Sequence, residues 1–292
     1  MDILKLNWKK FIQSLLFTGV CIVGVVGIIA TDGVKTTHGA LKVAVGLDGH
    51  PWIVTNDGAI YAYNGSAWER KEDPGTADDL ELCSGFLVIL TRPDAQGIRS
   101  IKSRDMFGSN TWTTYPTIGS PPGAVGLKQV ACHGNEPLVL ATPPDDNIFK
   151  YDISTSTWQS IHDGATWMSV MNSRLFYTYP TTTNGNVWTR NIDGGPYHRW
   201  GDPMIADKIA GDANGLPWVA TSTTSNPLYK WNTTNNKWTS GPMSGPVYDI
   251  DIQSYIKMYI VSDPAITTSG GYTIYSHNLY SGGWTTYSLP SY

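Results

Sequence analysis

The chain has 292 residues, a formal net charge of −4, 15% charged residues and 12% aromatic ones. Its length suits one large or two average domains, with ample material for a core. The mild acidity, without a basic stripe, argues against nucleic acid as a partner, because phosphate binding needs a positive footprint. Its 12 Trp and 16 Tyr alternate with turns rich in Gly, Pro, Asn, Ser and Thr. That texture suits an all-β protein, since aromatic and β-branched side chains fit a pleated, half-buried surface.

Residues 1–30 come first. MDILKLNWKK carries Lys5, Lys9 and Lys10, and FIQSLLFTGVCIVGVVGIIA, residues 11–30, carries no charge. A run of that length is about enough to cross a bilayer as one helix. A secretory signal has a shorter apolar region, about 7–15 residues, before a small-residue cleavage site. The expectation is an N-terminal signal-anchor helix held in the membrane through residues 11–30, with cleavage after Gly27 or Ala30 as the alternative. Either way the lysines stay cytoplasmic and the bulk of the chain is exported, anchored outside the membrane or secreted. Residues 31–40 read as a linker.

From residue 41 to the end the chain repeats itself. PWIVTNDGAIYAYNGSAWER (51–70) recurs as PLVLATPPDDNIFKYDISTSTWQS (137–160) and PWVATSTTSNPLYKWNTTNNKWTS (217–240). Looser copies begin FLVILTRPDAQG, RLFYTYPTTTNG and KMYIVSDPAITT. Each closes on a tryptophan: Trp68, Trp112, Trp158, Trp200, Trp238 and Trp284, at intervals of 44, 46, 42, 38 and 46 residues. A short apolar run precedes every copy: LKVAVG, LELCSG, LKQVACHG, TWMSVM, DKIAGD and YDIDIQ. Each unit is thus four short strands, which predicts a six-bladed β-propeller of four-stranded blades over 41–292. Each closing tryptophan is expected to fill the gap between neighbouring blades. Because LKVAVG opens the first unit and GWTTYSLP completes the last, no strand is swapped, and the closing seam is expected to rest on side-chain packing alone.

LKVAVGLDGHPWIVTNDGAIYAYNGSAWER resembles a tectonin repeat, the unit of the tectonin and tachylectin lectins. The matching positions run from Leu41 to Gly46, Trp52 to Asn56, Asp57 to Tyr61, and Trp68. The third and fifth units fit moderately, and the second, fourth and sixth diverge. The resemblance implies a propeller and a carbohydrate-binding function.

Catalytic constellations are missing. His38, His50, His133, His162, His198 and His277 are scattered, without metal-ligand spacing. There is no nucleophile elbow, phosphate loop or dinucleotide fingerprint. The expectation is a protein that is not an enzyme and uses no cofactor or metal. Cys83 and Cys132 stand at matching places, each two residues before a glycine that ends an inner strand. Adjacent blades can bring them together as a disulfide in an exported protein, or each is a small buried thiol.

Two functions follow as expectations. The first is a lectin-like module that binds glycans; the second is an assembly subunit of a membrane complex or extracellular filament, binding a protein partner. For either, the turns joining second to third strands offer repeated acceptors: Asp57, Asp94, Asp145, Asp146, Asn184, Asn226 and Asp263. Asp and Asn also populate turns for backbone reasons alone. The sequons NGS at Asn64 and NTT at Asn232 both fall between third and fourth strands, as candidate glycosylation sites on the opposite face.

Overall fold

In each repeat the second run is largely apolar and the last is polar, so burial should fall from the second strand outward within a blade. A computed structural model shows this grading. It describes residues 39–290 other than 47, 109–110, 120–125, 181–186, 202–205, 222–227, 242, 244–245, 253–256 and 263–272. The expected signal-anchor segment, 11–30, lies outside them. No helix among the described residues is long and apolar enough to cross a membrane.

The described strands form six antiparallel four-stranded sheets, each drawn from one continuous stretch of chain. Blade 1 holds β1 (Ala40–Val45), β2 (Pro51–Thr55), β3 (Ile60–Tyr63) and β4 (Trp68–Glu72). Blade 2 holds β5 (Ala77–Cys83), β6 (Phe86–Thr91), β7 (Ile101–Asp105) and β8 (Thr113–Thr114). Blade 3 holds β9 (Leu127–His133), β10 (Glu136–Ala141), β11 (Ile148–Asp152) and β12 (Thr157–His162). Blade 4 holds β13 (Trp167–Met171), β14 (Arg174–Thr178), β15 (Val187–Asn191) and β16 (His198–Arg199). Blade 5 holds β17 (Lys208–Gly211), β18 (Pro217–Ala220), β19 (Leu228–Asn232) and β20 (Lys237–Ser240). Blade 6 holds β21 (Val247–Asp251), β22 (Lys257–Ser262), β23 (Thr273–Asn278) and β24 (Trp284–Tyr287).

Second strands such as FLVILT of β6 are buried along nearly their whole length, whereas WERKE of β4 is half-buried or exposed throughout. An uninterrupted apolar run is what a strand covered on both faces requires. The covering comes from the neighbouring blades. Each of six apolar clusters draws on two adjacent blades, with Val43, Ile53, Tyr259 and Val261 among those closing blade 6 on blade 1.

The closing seam departs from the sequence expectation. Besides apolar packing, Asp249 Oδ2 accepts from Val43 N at 2.8 Å and Asp251 Oδ2 from Val45 N at 2.7 Å. Tyr259 Oη donates to Gly49 O at 2.7 Å, and Trp68 Nε1 to Ser288 O at 2.7 Å. Main-chain groups of blade 1 therefore bond across the seam. Inner strands leave N–H groups pointing at their neighbour, and an aspartate there satisfies donors that water does not reach.

One closing tryptophan is also corrected. Trp68, Trp158, Trp238 and Trp284 sit 4.5–5.3 Å, centroid to centroid, from the aromatic ring opposite them in the third strand: Tyr63, Tyr151, Trp231 and His277. In blades 2 and 4 an arginine takes the third-strand place. Arg104 lies 5.2 Å from Trp112, and Arg190 lies 5.2 Å from Tyr197. Tyr197, not Trp200, is thus the closing aromatic of blade 4. Trp200 turns to the following seam, 5.6 Å from Trp231, where it is buried.

Candidate functional site at the propeller axis

Strand pairing sets the innermost residues of the six blades in common layers. Lys42, Asp79, Gln129, Trp167, Lys208 and Asp249 pair with Val54, Leu90, Leu140, Thr178, Ala220 and Val261, equivalent places on the second strands. The layer below holds Ala44, Glu81, Ala131, Ser169, Ala210 and Asp251. Charge has been put where these blades meet.

In the upper layer, Lys42 lies between acids, with Nζ 3.5 Å from Asp79 Oδ1. Asp79 also fastens the next seam, accepting from Val130 N at 2.7 Å. A neutral side chain does the same work one blade on: Gln129 Oε1 accepts from Met168 N at 3.0 Å and its Nε2 donates to Met168 O at 2.7 Å. Burial pushes the Asp79 carboxyl up to about 6, against the opposing pull of Lys42. Burial raises Asp249 too. Below, burial lifts Asp251 to about 7 and holds Glu81 well above the usual range, and the Asp251 charge adds to the rise at Glu81.

Three ammonium groups converge on one ring. Lys208 Nζ is 3.8 Å from the Trp167 centroid, Lys42 Nζ 4.1 Å and Lys128 Nζ 5.8 Å. The negative face of an indole attracts cations, which offsets part of their mutual repulsion. Lys128 donates to Thr166 O, whereas Lys208 makes no hydrogen bond among the described residues. Neither has an ion-pair partner among the described residues. Desolvation first, then Lys42, brings Lys208 down to about 8. Repeat alignment carries part of the signal: Lys42 and Lys208 share one place on their inner strands, and Lys128 stands one residue before its equivalent, Gln129.

The turn acceptors fall differently. Asp57 Oδ1 accepts from Thr55 Oγ1 at 2.5 Å and Ala59 N at 3.3 Å. Asp94 Oδ1 accepts from Gln96 N and Ile98 N, each at 2.9 Å. Both close their own turns. Asp145 is exposed, Asp146 is half-buried at φ 45°, and neither side chain makes a hydrogen bond among the described residues. Asn184, Asn226 and Asp263 lie outside the described residues, as does His38.

On the other face every third-to-fourth connection opens with the same device. Asn64, Asp105, Asp152, Asn191, Asn232 and Asn278 each accept, through Oδ1, from the N–H two residues on, at 2.8–3.1 Å. Both sequons sit on this Asx turn. The structure joins Cys83 to Cys132 by a disulfide between β5 and β9, with Cα atoms 5.8 Å apart. Among the described residues no group of His, Cys, Asp and Glu is placed to hold a metal ion.

No protein-family model matches the chain, and no curated protein matches it in sequence. Solved structures match its fold. A protein of unknown function from Bacteroides thetaiotaomicron superposes with TM-score 0.60 at 10% identity, over 87% of this chain and 71% of that one. A nidogen/laminin complex gives TM-score 0.58 at 11% identity, over 88% and 95%. YCF48 bound to D1 peptide gives 0.54 at 12%, over 87% and 82%. Likeness at such identity shows the fold alone, an all-β six-bladed propeller. The narrower tectonin type finds no support in these comparisons.

Proposed function

We propose that the protein is a non-catalytic binding module that receives an acidic segment of a protein partner at its axis. The observation that carries this reading is the convergence of Lys42, Lys128 and Lys208, from three different blades, on Trp167. Asp79 and Asp249 offset Lys42, so Lys128 and Lys208 are the cations left for a ligand. Crowded like charges in a partly desolvated site repel, and an entering carboxylate relieves that repulsion while making charge-assisted hydrogen bonds. Propellers of the same fold in a complex with a peptide and in a nidogen/laminin complex support a protein partner. An N-terminal anchor at 11–30 would hold the module outside a membrane, as a subunit of an assembly.

Fluorescence anisotropy with labelled oligo-glutamate and oligo-lysine peptides tests the proposal. Oligo-glutamate should bind and oligo-lysine should not, and Lys128→Gln with Lys208→Gln should weaken binding at least about tenfold, since a charge-assisted bond contributes about 1.5–3 kcal/mol. Unchanged binding in the double variant defeats it. The carbohydrate reading rests on the tectonin resemblance and on exposed Asp145, whose side chain makes no hydrogen bond among the described residues. A glycan array on which neutral sugars bind and Asp145→Ala abolishes binding would favour that reading instead.

A further inference from the structure

Blade 4, like blade 2, has a fourth strand of only two residues, β16, and the connection before it carries two successive glycines, Gly194 and Gly195, at φ 112° and 125°. The chain therefore stands away from the sheet and leaves a cavity of about 540 Å³, lined by Asn172, Arg174, Arg190, Asn191, His198 and Trp200 among others. That volume falls in the range of about 300–1,000 Å³ common for small-molecule sites.

The lining is cationic and has no carboxylate. Arg190 is held in place: Nη1 donates to Ile161 O and to Tyr197 Oη, each at 3.0 Å, with its guanidinium over the Tyr197 ring. Arg174 spends Nη1 on Gly215 O of the next blade at 3.3 Å, and its other N–H groups make no hydrogen bond among the described residues. His198 is exposed and makes none there either. Guanidinium groups present forked donors that match a carboxylate. Asn172 and Asn191 add amide groups suited to hydroxyls, and Trp200 supplies an apolar wall. A bare oxyanion would leave most of the cavity to water.

We infer that this cavity binds a small, hydroxyl-rich carboxylate of the uronic-acid class, with the carboxylate on Arg174 and His198. The site is separate from the axial lysines and does not depend on them. Isothermal titration of the full chain with D-glucuronate, D-glucose and inorganic phosphate tests it. Glucuronate should bind at least tenfold tighter than either of the others. Arg174→Met should lower its affinity at least tenfold, and Lys208→Gln should leave it unchanged. His198→Gln, at an exposed position, should cost about threefold and keeps the test open if Arg174→Met fails to fold. Tri-galacturonate binding tighter than the monomer assigns a polymer end as the ligand, and equal binding assigns the free sugar acid; both support the site. Phosphate or glucose binding as tightly as glucuronate, or full affinity in folded Arg174→Met, overturns the inference.

Discussion

The seam between blades 2 and 3 and the seam between blades 6 and 1 share one fastening and differ in the next. In each, an aspartate of the upper layer accepts from the neighbour's inner strand: Asp79 from Val130 N at 2.7 Å, and Asp249 from Val43 N at 2.8 Å. Further along the strands, the first seam has the Cys83–Cys132 disulfide, and the second has Asp251 accepting from Val45 N at 2.7 Å. Blades 2 and 3 also follow one another in the chain, so their sheets cannot drift far apart. Blades 6 and 1 are separated by the whole ring, and only non-covalent contacts close it. The comparison teaches that the closing seam relies on buried carboxylates, and hence on their protonation state.

The largest effect is expected at the covalent seam. The disulfide closes a loop with a sequence separation of 49, for which chain entropy gives about 4 kcal/mol. Urea unfolding of Cys83→Ser/Cys132→Ser should show a loss approaching that value. Reductant should shift the parent chain and leave the variant alone; an unshifted parent would mean the bond contributes nothing. At the closing seam, Asp249→Ala with Asp251→Ala strands two main-chain donors, at about 1–3 kcal/mol each when buried. A combined loss of about 3 kcal/mol is expected, with amide exchange at Val43 and Val45 accelerating first. If those amides stay protected, apolar packing alone closes the ring.

The pH dependence sharpens the contrast. Asp79 and Asp251 have folded values of about 6 and about 7, above the ordinary 3.8, so the folded chain holds these protons more tightly than the unfolded one. Their contribution is complete below about pH 4 and is lost as pH rises through 6 and 7. A protonated carboxyl keeps a carbonyl oxygen, so the bond to Val45 N survives neutralisation. His162 works in the opposite direction: burial lowers it to about 4, and its contribution is lost as pH falls from 6.5. Melting temperature should therefore decline between pH 5 and 8, and Asp251→Asn should flatten the upper part of that decline. A profile rising over the same interval would refute the assignment.

The smallest effect is expected in the seam between blades 3 and 4, which is fastened by neutral Gln129. There His162 is buried with neither ring nitrogen hydrogen-bonded among the described residues, its ring 4.1 Å from that of Tyr177. Replacing an unsatisfied polar ring by an apolar one of similar shape is close to neutral or mildly stabilising. His162→Phe should change stability by no more than about 1 kcal/mol and should remove the loss below pH 6.5. A larger destabilisation would reveal a bond that ring needs.

Much of the architecture was legible because repetition amplifies weak signals. One apolar run of six residues is ambiguous, whereas six copies at similar spacing leave little choice. Register was harder. The fourth repeat reads as closing on Trp200 because a tryptophan is expected there, yet Tyr197 follows Asn191 at the same spacing of six as Trp158, Trp238 and Trp284 follow Asp152, Asn232 and Asn278. Trp158 to Tyr197 and Tyr197 to Trp238 span 39 and 41 residues, more even than the 42 and 38 obtained with Trp200. The axial cluster went unread for another reason. Lys42, Lys128 and Lys208 each look like an ordinary polar residue at a strand start, and only their approach to the one Trp167 ring in the closed fold brings them together. The sequons carry a similar lesson. Asn64 and Asn232 occupy a turn that the other blades close with Asp105, Asp152, Asn191 and Asn278, so backbone demand accounts for the Asn of each sequon. The Ser or Thr two residues on is not required by the turn, since Phe107, Asp193 and Tyr280 also stand there.

Because each sheet comes from one unbroken stretch, the order of blades around the ring is separable from the order in which the chain visits them. A cut in any connection between blades would leave six whole sheets, and a new link from the end of β24 to the start of β1 would restore continuity. The chain is in that sense circular, opened at one of six comparable places. Joining residue 290 to residue 39 and reopening the loop after β12, near Asp163, should give a circular permutant with the same ring and the same axial cluster. In that permutant, blades 6 and 1 would become neighbours in the chain, and the seam fastened by Gln129 would become the one closed without a covalent link.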